Sequence, residues 1–156
     1  MIGELAARLS GGFMSGYTCP VATGVDIIRS AIEIALGRIP TPIRPTNHRV
    51  AMERAIIPNP GRVQSGSGIE HVRQMPGVAA LFVDVKEGDI VVPPKSNMDK
   101  AGHLIVVSDT RDAAMKLAED VLARIKIEIG APSLASWEEV RSAASAKFGA
   151  VCRACK

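Results

Sequence analysis

The sequence predicts an α+β domain with a mainly antiparallel sheet and flanking helices. Its segments read in the order β, α, several strands, α and β. The strand-like runs are short and broken by turn signals, PNPG at 58–61 and Lys86-Glu87-Gly88-Asp89. A composition of 47% hydrophobic residues, with one Trp, one Tyr and three Phe, leaves Ile, Val, Leu and Ala to fill the core.

Taken in order, residues 2–9 read as a strand entering a glycine turn at Gly11 and Gly12, and residues 13–22 as a loop. Thr23 to Asp26 matches a capping box, with Thr23 as the cap. The following IIRSAIEIAL is apolar on most of its circumference. A largely buried helix is expected there, exposing mainly Arg29, Ser30 and Glu33 and closed by Gly37. Residues 38–48 hold three prolines in an extended connector. VAMERAII is a strand, GIEHVRQM one or two helical turns, and PGVAALFVDV a strong strand. The turn at Lys86–Asp89 into IVVP predicts a hairpin. Asn97 to Lys100 is a polar loop and His103 to Val107 a buried strand. Asp109 or Thr110 caps a helix whose Met115, Ala118, Val121, Leu122 and Ile125 share one face. IKIEI alternates as a closing strand. Past Gly130 comes a linker, and then a second capping box at Ser136–Glu139 opens a short Ala-rich helix.

Length and charge narrow the function classes. At 156 residues the chain is one domain of ordinary size that needs no disulfides to hold a core. A net charge of +3 without a basic run, and few aromatic rings, argue against a nucleic-acid partner. No apolar stretch approaches the roughly 18 residues of a membrane span, and the N-terminus lacks the order of a signal peptide. A cytoplasmic protein is expected. Cys19 stands alone, and the single C-x-x-C of Cys152 and Cys155 cannot by itself supply a four-ligand zinc site. These cysteines read as reduced surface thiols.

Most familiar chemistry is missing. Neither G-x-x-x-x-G-K-[ST] nor G-x-G-x-x-G occurs. His48, His71 and His103 lie in separate elements without ligand spacing, Ser10 and Ser15 have no visible base, and Cys19 has no activator. The opening GELAARLSGGF is the exception. In a strand Glu4, Ala6 and Arg8 share one face, and four residues advance roughly 13 Å. That span suits a carboxylate on a metal and a guanidinium on a phosphoryl group or carboxylate. Gly11 and Gly12 would let backbone N–H groups approach an anion. Spacing alone favours the plainer reading, a same-face Glu/Arg pair that stabilises a sheet with the glycines making a turn.

ELAARLSGGF, followed by TGVDIIRSAIEIALG, resembles the last part of the ATP-grasp domain of carboxylate–amine ligases, of the L-amino-acid ligase and carbamoyl-phosphate synthase large-chain types. Further landmarks are Gly61-Arg62-Val63, Pro76-Gly77-Val78, Lys86–Asp89 and AGHLIVVSDTRDAAMKLAEDVLARIKI, so the resemblance runs over about residues 2–129. It implies that ATP phosphorylates a carboxylate to an acyl phosphate, which an amine then attacks. In the family's Glu-x-Asn-x-Arg motif, Glu4 matches the Mg²⁺ carboxylate and Arg8 the phosphate-binding arginine. Gly11 and Gly12 fall where phosphate and substrate approach. Ala6 stands where the family has Asn, and a methyl group cannot ligate a metal.

The resemblance divides the chain into 1–47, the last part of the catalytic domain; 48–130, a β-rich C-terminal subdomain; and 131–156, a helical tail. The tail is similar to the opening of FMN-dependent α-hydroxy-acid-oxidising proteins. The family's ATP-binding lysines, glycine-rich loop, adenine pocket and first metal carboxylate have no counterpart in the sequence. The expectation is therefore a C-terminal ligase fragment, inactive alone, that binds no ATP or Mg²⁺ by itself. Its partner would be a missing or separately encoded N-terminal ATP-grasp portion. The competing expectation is a non-catalytic binding module or homo-oligomer derived from that family.

Overall fold

The computed structural model describes residues 7–41, 43–130 and 138–143. Within them the architecture is α+β, as expected, but it uses two three-stranded sheets. Ser136, the cap of the second capping box, and the C-x-x-C pair lie outside the described residues, while residues 138–143 are helical, within the short Ala-rich helix that was expected.

Helical structure begins earlier than the sequence suggests. Residues 7 and 8 are bends, where a strand was expected. Residues 13–22, expected as a loop, hold a π-turn at Met14–Thr18 that runs into α1, Cys19–Thr23. The N–H groups of Tyr17 and Thr18 both donate to the Phe13 carbonyl, at 2.9 and 3.0 Å. The rings of Phe13 and Tyr17 meet edge to face, 5.7 Å apart. Pro20 breaks nothing because it sits in the first turn of α1, where its missing N–H has no helical partner to lose.

Helix α2, Ile27–Ala35, is capped by Asp26, whose carboxylate accepts from the Arg29 N–H at 2.9 Å. The expected cap, Thr23, instead donates to the Cys19 carbonyl at 2.7 Å and accepts from the Val25 N–H. Gly37 closes the helix as expected. Its N–H reaches the Ile34 carbonyl and that of Arg38 the Glu33 carbonyl, a Schellman motif. The burial of α2 reverses the expectation. Ser30 is 3% exposed, satisfied by donating to the Asp26 carbonyl, while Ile32 and Leu36 are 55% and 62% exposed.

The connector of residues 38–48 leads into β1, Val50–Ile56; β2 follows at Gly61–Ser67, α3 at Ile69–Arg73 and β3 at Val78–Val83. Strand β2 escaped the sequence reading because Gly61, Ser65, Gly66 and Ser67 read as turn residues. After β4, Ile90–Val91, a 3₁₀ turn at Asn97–Asp99 precedes β5, Gly102–Ser108. Helix α4, Arg111–Arg124, is capped by Thr110, whose hydroxyl accepts from the Ala113 N–H. Strand β6, Lys126–Ile129, is the last strand among the described residues.

One sheet has the order β1-β5-β3 and the other β4-β2-β6. The tight turn at Lys86–Asp89 forms, but the expected β3–β4 hairpin does not. The Val63 N–H donates to the Asp89 carbonyl and the Gly88 N–H to the Val63 carbonyl, which fastens this turn and β4 to β2. Strand β6 runs antiparallel to β2 from Ser67↔Lys126 to Val63↔Ile129, with a bulge between Val63 and Ser65.

By internal contacts the chain forms two units. In Met1–Arg54, Pro76–Ala80 and Ile105–Glu119, the buried apolar residues are Val25, Ile105, Val106, Val107, Ala114 and Ala118. In Ala55–Met75, Leu81–Leu104 and Asp120–Lys156 they include Val63, Val72, Val91, Leu104 and Val121. Each fully buried Leu, Ile or Val side chain contributes about 1.5–3 kcal/mol of hydrophobic stabilisation.

Candidate functional site

Residues 7–12 of the opening motif are exposed. Glu4 lies outside the described residues. Arg8 is exposed, and its Nη1 donates to the neighbouring Leu9 carbonyl at 3.1 Å. Such a contact leaves a guanidinium with donors to spare. Beyond it Ser10 starts the turn. Its carbonyl accepts from the buried Ser15 hydroxyl at 3.0 Å, which ties the turn to the π-turn that follows.

Gly11 and Gly12 are both exposed. A Cβ at Gly11 would meet nothing within 4 Å. Gly12 has φ +64°, a left-handed conformation that a side chain disfavours. The structure adds one residue that sequence reasoning missed. Glu53, half-buried on β1, places Oε2 4.0 Å from where a Gly12 Cβ would stand. The only sequence signal for it was a charged pair, Glu53-Arg54, in the middle of an otherwise apolar strand. Arg8, the glycine turn and Glu53 thus all belong to the first unit, with cation, open backbone and carboxylate as its chemical content.

A second polar feature lies on α2. Glu33 accepts from the Thr41 N–H at 2.6 Å, from the Thr41 hydroxyl, and from Arg29 Nε at 3.1 Å. The backbone hydrogen bond from Thr41, and then Arg29, hold the Glu33 carboxyl below the usual glutamate value. Beside it runs a groove of about 400 Å³ bordered by Asp26, Ile28, Arg29, Ile32, Leu36 and Arg38. In the second unit a larger groove, about 680 Å³, lies among the end of β1, the last turn of α4 and β6. Its lining is mainly aliphatic, with Ile57, Leu122, Ile125 and Ile127, and it contains none of the sequence-predicted site residues.

Among the described residues no three His, Cys, Asp or Glu side chains gather as a metal site. His48 lies in the connector, His71 on α3 and His103 on β5. Among the described residues no helix is long and apolar enough to cross a membrane.

Comparison with known proteins gives this geometry a context. Residues 54–130 match the family model of the L-amino acid ligase C-terminal domain 2. The fold is similar to the crystal structure of L-amino acid ligase from Bacillus licheniformis, with a TM-score of 0.66 and 20% identity over 80% of this chain and 31% of that one. It is also similar to phosphoribosylglycinamide synthetase from Anaerococcus prevotii, with a TM-score of 0.61 and 14% identity over 72% of this chain and 30% of that one. The chain thus spans under a third of the length of either structure. No curated protein matches its sequence.

Proposed function

We propose that this chain, whose residues 54–130 match the L-amino acid ligase C-terminal domain 2, is a C-terminal ATP-grasp portion that supplies the closing segment of a carboxylate–amine ligase site. ATP-grasp ligases use ATP and Mg²⁺, and the site is completed by a preceding ATP-binding portion, in the same polypeptide or a separate one. The observation that carries this reading is the Gly11–Gly12 turn, open at Gly11 and left-handed at Gly12, with Arg8 just before it and Glu53 across it.

The chemistry to be served is transfer of a phosphoryl group to a carboxylate and displacement of phosphate by an amine. Both steps place negative charge on oxygens, which fixed cations and backbone N–H groups stabilise. Arg8 supplies the cation, with a planar fork suited to phosphate oxygens. The glycines let a substrate come closer to the backbone than any side chain would permit. The match to the L-amino acid ligase family favours an amino-acid carboxylate as the acceptor.

Mixing the chain with a separately produced ATP-binding portion tests this. Amino-acid-dependent ADP release is expected only in the mixture, and Arg8→Ala should lower it roughly a hundredfold. Unchanged turnover in Arg8→Ala would overturn the role given to Arg8. A second reading, that the domain serves as an association module, is favoured by the exposed isoleucines of α2.

A further inference from the structure

Helix α2 presents an apolar row that nothing in the described residues covers. Ile28, Ile32 and Leu36 stand four residues apart, so they form one ridge along the helix. All three are exposed, at 39%, 55% and 62%. The ridge continues onto the π-turn, where a Cβ at Gly16 would lie 3.7 Å from Ile28 Cδ1, and Met14 and Tyr17 beside Gly16 are exposed. Side chains of this size are not left in water without consequence, because a contiguous apolar patch favours association.

Charge decides the occupant. The same groove is bounded at the helix start by Asp26 and beyond its end by Arg38. If a second α2 lies antiparallel across the first with the two Ile32 side chains on the axis, Ile28 faces the partner's Leu36, and Asp26 faces the partner's Arg38. Each contact then occurs twice, as a two-fold isologous interface requires. Both ends gain opposite charges, and the antiparallel helix dipoles add to this rather than oppose it. Asp26 keeps its cap, which engages Oδ1. Glu33 and Arg29 are already paired with each other, so the flank introduces no unmatched like charge. We propose that the α2 face is a homodimer surface in which Ile28, Ile32 and Leu36 pair antiparallel with a second copy of this chain, with Asp26 and Arg38 fixing the register.

A single helix face is small against the roughly 1,200–2,000 Å² of a stable interface, so the dimer is weak and concentration-dependent, in the roughly micromolar range. Sedimentation equilibrium across that range tests it. The chain should pass from monomer to dimer, and Ile32→Glu should weaken association at least about tenfold with an unchanged far-ultraviolet spectrum. Register is read from charge. Arg38→Asp alone should be monomeric, as should Asp26→Lys alone, while an equimolar mixture should regain the dimer because each variant then supplies what the other lacks. If Asp26→Lys loses helix through its missing cap, the comparison of Arg38→Asp with Arg38→Lys still decides, since only the first should dissociate. A chain that stays monomeric to about 100 µM would overturn the proposal. So would a dimer indifferent to Ile32→Glu. If the chain is monomeric alone but pairs with a separate ATP-binding portion in an Ile32-dependent way, that portion is the occupant and self-pairing is refuted. The ADP-release assay does not depend on this outcome, so the two readings fail separately.

Discussion

Glu33 concentrates more polar interactions than any other side chain of α2, and each of them favours its charged form. The Thr41 N–H donates to it from the connector, and Arg29 donates along the helix. Its carboxyl therefore titrates below the ordinary glutamate value in the folded chain. A depressed carboxyl contributes stability that is fully present above the ordinary glutamate value and is lost as pH falls through the depressed one. Wild-type protein should thus exceed Glu33→Gln in thermal stability near pH 6, and the difference should fade as pH falls through the depressed value. Carboxyl ¹³C titration of Glu33 by NMR checks the premise. A midpoint at or above the ordinary glutamate value would show that the Thr41 and Arg29 hydrogen bonds do not hold the Glu33 carboxylate in solution. Arg8 and Gly12 could be named from sequence because they sit in a motif, but Glu53 could not. Its nearness to Gly12 is made by folding β1 beside a turn about 40 residues earlier, and no local spacing encodes that.

At the scale of elements, the long periodic segments were legible and the pairings were not. The α4 pattern and the β5 run were readable because burial repeats with the helical or strand period. The partner of β4 was not readable. Only the bonds joining Val63 to the 88–89 turn decide that β2 captures it, and β2 itself hides behind turn-forming residues. One joint between elements yields a sharp prediction. Gly68 precedes α3 at φ +81°, and a Cβ there would run into the backbone carbonyl of Arg124 at the end of α4. Gly88 has a similar φ of +87°, but a Cβ there would meet nothing within 4 Å. Gly88→Ala should therefore cost only the left-handed backbone term, about 1 kcal/mol. Gly68→Ala adds a clash that flexible side chains cannot relieve, for a total of roughly 3 kcal/mol. Chemical denaturation of the two variants side by side measures the gap. Equal losses would show that the α3–α4 approach is looser than described.

Across the whole molecule, burial is distributed unevenly along the chain. Leu104, Ile105, Val106, Ala114, Ala118 and Val121 are fully buried, and all lie on β5 and α4. Among the described residues, nine of the ten large apolar residues that stand exposed fall between Leu9 and Ile43, the stretch that contains α1, α2 and the start of the connector. Opening free energies follow burial, since a segment with few buried apolar contacts can detach without disturbing the core. Amide hydrogen exchange should therefore be slowest across 102–124, approaching the rate set by global unfolding, and much faster across 27–36. The measurement belongs in the Ile32→Glu variant, where self-association cannot lend α2 protection. If α2 proves as protected there as β5, its helix is held by packing within the chain. The exposed isoleucines would then be ordinary surface residues, and the case for a partner on that face would lose its physical basis. Fast exchange that slows when the wild-type chain is concentrated would instead show α2 gaining from association the burial that its own fold does not provide.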